Sequence, residues 1–208
     1  MDSKTKFYEQ LKEEFVPLLR KEGFQGSGQN FRRVTGDLIN AINIQNNKNG
    51  ESCCVNMGIH FTFLPCCWNS STYPDLNKIK EVDCEFRSRL VRDREMDSWW
   101  YFKGEGLFGS VGKNVSDLCN TFTEVGLKYF EAYNSIENVA SAVTLDNVKQ
   151  SQQLKIAGRL TPVRAALTMA RIYEYTGNEE LKRAYAEVGL QMLGNSKALK
   201  KDLEFLAK

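Results

Sequence analysis

His60 is the single histidine of a 208-residue chain, so acid–base chemistry near neutral pH, if present, has to run through it. It closes Val55-Asn56-Met57-Gly58-Ile59-His60, whose apolar/polar alternation is that of a strand. His60 is therefore expected, half exposed, on the polar face with Asn56. No G-x-S-x-G or comparable nucleophile setting accompanies it. The stretch Gly106-Leu107-Phe108-Gly109-Ser110-Val111-Gly112-Lys113 suggests a phosphate cradle. Such a loop needs G-x-x-x-x-G-K-[ST], so that backbone N–H groups wrap the phosphates and a hydroxyl holds magnesium. Here Leu107 stands where the first glycine belongs, Asn114 replaces the hydroxyl, and Trp-Trp-Tyr-Phe-Lys precedes in place of a buried apolar strand. The loop is expected to join the sheet region to a helix, not to hold a nucleotide.

The cysteines point away from metal chemistry. Cys53-Cys54 and Cys66-Cys67 are adjacent and Cys84 and Cys119 stand alone, without CxxC or HxxxH spacing. They are expected to pack as small hydrophobes, with no metal and no cofactor. Asp93, Glu95 and Asp97 lie in a charge-mixed run with Arg92 and Arg94, the pattern of a solvated loop.

The more informative constellation is rich in amides. A period of two puts Asn43 and Gln45 on one face, beside Asn56 and His60 of the next strand. Such a face offers many donors and acceptors without a strong acid or base, which suits recognition better than catalysis. Arg87, Arg89 and the pair Trp99-Trp100 extend the candidate contact surface, because exposed tryptophans often anchor interfaces. The leading expectation is a non-enzymatic protein that binds a protein partner through this face or the tryptophan edge. The alternative is an enzyme for a small molecule or phosphoester, with His60 as acid/base and Lys113 or Arg87 as anion contacts. It requires a concave pocket joining the polar face to the 106–114 loop. RNA binding through sheet aromatics is weaker, since Phe61 and Phe63 fall on the apolar face.

These residues need elements to hold them. Phe7, Leu11, Phe15, Leu18 and Leu19 have helical spacing, with Gly23 as C-cap and Pro17 forcing a kink or a second start. Strands are expected over 30–34, 38–45 and 53–63, joined by Thr35-Gly36-Asp37 and by a turn ending in Asn49-Gly50. Together they form an antiparallel meander with one buried face, covered by the first helix. A fourth strand spans 83–91, with Glu85, Arg87 and Arg89 opposed to Cys84, Phe86 and Leu90. Trp99 to Phe102 form a short strand or an aromatic plug. From Asn114 the period becomes helical, with Val115, Leu118, Phe122, Val125 and Tyr129 as one stripe. A short helix runs near 136–145. Thr161-Pro162 then opens a helical hairpin turning at Gly177-Asn178, and Ser196 caps a last helix to Leu206.

The order predicts an α+β fold: a β meander of four to five strands packed against helices, then an all-helical C-terminal segment. The sheet region is placed at 1–112 and the helical region at 113–208, packed as one unit, with a helical annex from about 146. Net charge is +2, with 42% hydrophobic and 26% charged residues, so neither nucleic acid nor membrane is expected as partner. The N-terminal MDSKTKFYEQ has no apolar core for a signal peptide and no apolar run is long enough to span a bilayer, which gives a cytoplasmic expectation.

Several segments together resemble a known family. They are Lys21-Glu22-Gly23-Phe24, Asn30-Phe31-Arg32-Arg33, Ile42-Asn43-Ile44-Gln45 and Val55-Asn56-Met57-Gly58-Ile59. Cys84-Glu85-Phe86-Arg87-Ser88-Arg89-Leu90 and Asp97-Ser98-Trp99-Trp100 complete the succession. It resembles the bacterial domain-of-unknown-function 4304 family over roughly Phe7 to Tyr133, departing at Asn46-Asn47, where a lysine and serine are frequent. The resemblance implies a meander packed on helices and no known enzyme activity. An association of some relatives with secreted-toxin genes implies an immunity or adaptor role. Separately, Ala170, Tyr173, Gly177-Asn178 and Ala184-Tyr185 are similar to one tetratricopeptide-type helix pair. A single copy of that unit is expected to be a packing annex.

Overall fold

The computed structural model describes residues 2–92, 95–103, 110–158, 160–194 and 197–208. They form an α+β fold. Helix α1 (Ser3–Glu13) is capped by Asp2, whose carboxylate accepts from the Thr5 amide. The chain restarts after Glu14 as α2 (Phe15–Lys21). Pro17 lies in the first turn of this second helix, where its missing N–H costs little. Gly23 ends the pair at φ +81°.

Six strands follow: β1 (Gln25–Ser27), β2 (Asn30–Thr35), β3 (Leu38–Asn46), β4 (Ser52–Phe61), β5 (Phe86–Arg89) and β6 (Trp100–Tyr101). They make one antiparallel sheet in the order β1-β2-β3-β4-β5, with β6 also pairing β4. Strand β1 is a sixth element that sequence alternation does not predict. It carries no apolar side chain, and Gly26 is required there because a Cβ would lie 2.3 Å from the Asn30 carbonyl oxygen.

One face of the sheet is the main core. Ile42 pairs with Met57 and Ile44 with Val55. These residues bury against Phe7, Leu11, Phe15 and Leu19 of α1 and α2, and against Val115, Leu118 and Phe122. The last three belong to α3 (Val111–Thr121), which passes through a π-turn (Phe122–Gly126) into α4 (Leu127–Ala132). The extra residue of the π-turn shifts the expected stripe by one position. Phe130 therefore enters the core fully, while Val125 and Tyr129 lie at its margin.

Helices α5 (Ile136–Ala142) and α6 (Leu145–Lys149) lead to the hairpin of α7 (Pro162–Tyr175) and α8 (Glu179–Met192), and α9 (Lys200–Leu206) closes the chain. Thr161 and Asn178 cap α7 and α8 by accepting from Arg164 and Leu181 amides. Ser196, expected to cap α9, lies outside the described residues. The apolar cluster runs without interruption from Phe7 to Leu206, so sheet and hairpin share one core.

The opposite face is the polar one of a meander expected to have a single buried face. Half of it is covered. The segment Leu64 to Glu85, ending in a 3-10 turn (Glu81–Asp83), folds back over β3 and β4 and buries Ile39 and Ala41 beneath Ile79 and Cys84. Cys84, expected beside Phe86 and Leu90, lies on this other face because the 3-10 turn carries the chain across before β5 begins. Gly58 admits the close approach: an added Cβ would sit 2.8 Å from Cys84 Sγ, 2.9 Å from its Cβ and 3.3 Å from Glu81 Cα. Gly58→Ala is therefore expected to destabilise the fold by about 1–3 kcal/mol, as overpacking does. Urea denaturation with an unchanged m-value checks this.

Candidate functional site

The covered half of the polar face holds His60. Both ring nitrogens are engaged: Nδ1 accepts from the Glu85 amide at 3.3 Å, and Nε2 faces the Leu64 carbonyl at 3.1 Å. That pairing selects the neutral tautomer with the proton on Nε2. Burial pushes the imidazole below its ordinary value of 6.5, against the opposing charge of Glu85. Glu85 is itself buried and receives Arg164 of α7, Nε donating to Oε2 at 2.8 Å and Nη2 to Oε1. The pair ties the chain just before β5 to the hairpin. Beside it, the Gly158 amide donates to the Arg87 carbonyl at 3.0 Å and so covers the outer edge of β5.

His60, expected half exposed, is thus fully buried (0% exposed), because the segment after β4 closes over it. Arg87 stays at the surface with its Nε on the buried Glu81 carboxylate at 2.6 Å. Lys113 lies in the first turn of α3, where its amide is capped by the Ser110 hydroxyl at 3.2 Å. The glycines of the 104–109 stretch lie outside the described residues. Among the described residues no group of three or more His, Cys, Asp or Glu side chains is placed to hold a metal ion.

The open half of the same face brings together most of the remaining predicted residues. Asn43 pairs with Asn56 across β3 and β4, and Asn56 with Arg89 across β4 and β5. Their side chains form one array of hydrogen bonds, in which the link between Asn56 Nδ2 and Asn43 Oδ1 is long at 3.5 Å. Asn43 Nδ2 donates to Asn30 Oδ1 at 2.9 Å, and Asn56 Nδ2 to Gln45 Oε1 at 2.8 Å. Arg89 Nε donates to Asn56 Oδ1 at 3.3 Å, while Arg89 Nη1 lies 2.9 Å from both oxygens of Asp97. Trp99 closes the array, its indole N–H on Asp97 at 3.0 Å and its ring 5.2 Å from the Arg89 guanidinium. Underneath lies Cys54, whose thiol burial pushes up to about 11, out of the range of a reactive thiolate. Asn30 and Asp97 are members that sequence reasoning did not place here. The register of β2 against β3 reveals the first; only the fold reveals the second.

Trp100, expected at the exposed edge with Trp99, is a core residue (0% exposed). Successive residues of a strand point to opposite faces, so only one of the two tryptophans can reach the polar side. The indole N–H of Trp100 and Arg92 Nε both donate to Asp117 of α3 at 2.8 Å, which fixes β6 against that helix.

The family model described as "Domain of unknown function (DUF4304)" matches residues 15–132, more than half of the chain. The chain belongs to this family. The match takes in every residue of the open array and stops before α5 through α9, so the DUF4304 portion carries the polar face and the hairpin lies beyond it. No curated protein and no solved structure matches the chain.

Two outcomes follow from the buried cluster. Arg164→Ala strands the buried Glu85 carboxylate, and a loss of about 3–5 kcal/mol is expected. The double change Glu85→Gln, Arg164→Met should recover most of it in chemical denaturation. The sign for His60 is set by its lowered pKa: below 6.5 the unfolded chain takes a proton that the folded imidazole refuses. Stability is then full above pH 6.5 and falls as pH drops below it, by at most about 1.4 kcal/mol per pH unit. His60→Gln should flatten thermal stability between about pH 7 and pH 5, measured by calorimetry.

Proposed function

We propose that the chain is a non-enzymatic binding protein that recognises a protein partner through the open half of its polar sheet face, in an immunity or adaptor role. The observation that carries the reading is the pre-paired array Asn30–Asn43–Asn56–Gln45–Arg89–Asp97–Trp99. Its donors and acceptors are held by one another across adjacent strands, so little side-chain entropy remains to be lost on association. An arginine stacked on a tryptophan stands at one end, the pair of residue types that most often dominates interface energy. The array mixes charge and amide without a free strong acid or base, and the one histidine is sealed under a different part of the sheet. The six cysteines are all unpaired, which fits a reducing, cytoplasmic setting.

The test is capture of a partner from lysate of the source cell by the intact chain, compared with an Arg89→Ala, Trp99→Ala variant of matched melting temperature. The variant is expected to lose retention by at least tenfold. No retained partner, or equal retention by both proteins, contradicts the reading. Trp100→Ala is unsuitable as the control because it opens the core.

A further inference from the structure

Where the segment after β4 meets the end of α7 there is a second feature, away from the polar array. A half-open cleft of about 260 Å³ is lined by Phe63, Pro65, Tyr73, Arg171, Glu174 and Tyr175, with Ser70 at its edge. Tyr73 and Tyr175 are the exposed walls, at 62% and 51% exposure. Three rings form a rigid stack: Phe61 on Phe63 at 5.3 Å, and Phe63 on Tyr175 at 3.7 Å with 5° between planes. One face of Tyr175 is therefore covered, and its exposure belongs to the other face and the edges. The Tyr175 hydroxyl donates to Asp37 at 2.7 Å. Donation to a carboxylate enriches the phenol ring in electrons and deepens the negative potential over its face.

The charges of the cleft are unequal. Arg171 Nη2 donates to Asp202 at 2.9 Å, and Ser70 Oγ donates to the same carboxylate oxygen at 2.6 Å. Asp202 thus matches the charge of the guanidinium, whose Nη1 is buried with no hydrogen-bond partner among the described residues, and this bridge from the loop to α7 and α9 fixes the floor. Glu174 remains as an exposed carboxylate at the rim, with Asp37 behind Tyr175. Electron-rich ring faces beside a surplus negative charge attract a cation whose own hydration is weak, and repel an anion.

We propose that this cleft binds an alkylammonium group, seated against Tyr73 and Tyr175 and facing Glu174. Methylated ammonium fits best, because each methyl lowers hydration and adds apolar contact to the rings while the charge remains. The site combines residues 63–73 of the DUF4304 portion with 171–175 of the hairpin beyond it, which gives the docked hairpin a role besides packing.

The test uses the full chain and nuclear magnetic resonance titration of the Tyr73 and Tyr175 ring signals. The probes are N-acetyl-trimethyllysine amide, choline, and the uncharged analogues N-acetyl-norleucine amide and 3,3-dimethylbutan-1-ol. Each cation is expected to bind at least about tenfold more tightly than its uncharged analogue. Tyr73→Ala, a surface change, should cost about tenfold in cation affinity with unchanged melting, and Glu174→Gln severalfold. Tighter binding of the lysine derivative than of choline assigns the cleft to a lysine side chain of a polypeptide; equal binding assigns it to a free small cation. Equal affinity for charged and uncharged probes, no ring shift at 50 mM of any cation (roughly the weak limit of single-group recognition), or undiminished affinity in both variants overturns the proposal.

Discussion

Glu85 meets Arg164 below the surface, and the extent of the open face of the sheet depends on where that pair holds the chain. Two charges out of water are tolerable only with close geometry and their remaining hydrogen-bond capacity satisfied. The geometry is supplied from both sides: His60 fixes the Glu85 amide, and the first turn of α7 presents Arg164. The pair contributes less net stability than its Coulomb attraction suggests. It joins the residue before β5 to the first turn of α7, where the segment after β4 lies over half of the sheet.

From that constraint the rest of the polar side follows. With the covering segment in place, Ile39, Ala41, Gly58 and His60 become interior, while the strip from Asn30 to Trp99 stays in contact with water, as do Val34 and Arg87 at the margins of the covered half. The strip then satisfies itself by cross-strand pairing, as a half-wet sheet must. The result is a mixed-polarity, cross-strand-paired surface with an arginine–tryptophan corner. The cleft at Tyr73 and Tyr175 has the same origin, since it forms where the covering segment meets α7.

Much of this was legible in the sequence, for local reasons. Alternation over 30–45 and 53–61 fixes the meander. Asn43, Gln45 and Asn56 share a face because the period is two, and Thr161-Pro162 and Gly177-Asn178 punctuate the hairpin through caps and turns. What escaped depends on contacts far apart in the chain. His60 looks half exposed until residues 64–85 are folded over it. Trp99 and Trp100 look equivalent until strand alternation sends one to the surface and one to Asp117. The helical stripe from Val115 was right in its first half and displaced in its second, because a π-turn leaves no mark in periodicity. Strand β1, short and glycine-bearing, is defined only by its pairing with β2.

The central claim is that the open strip is where a partner sits. The most direct measurement is site-specific photocrosslinking in the source cell, with a benzophenone side chain at Gln45 and, as comparison, at Glu124, an exposed position of the π-turn. A protein adduct at Gln45 that is absent at Glu124 is the predicted result. No adduct at Gln45, or the same adducts from both positions, would contradict it.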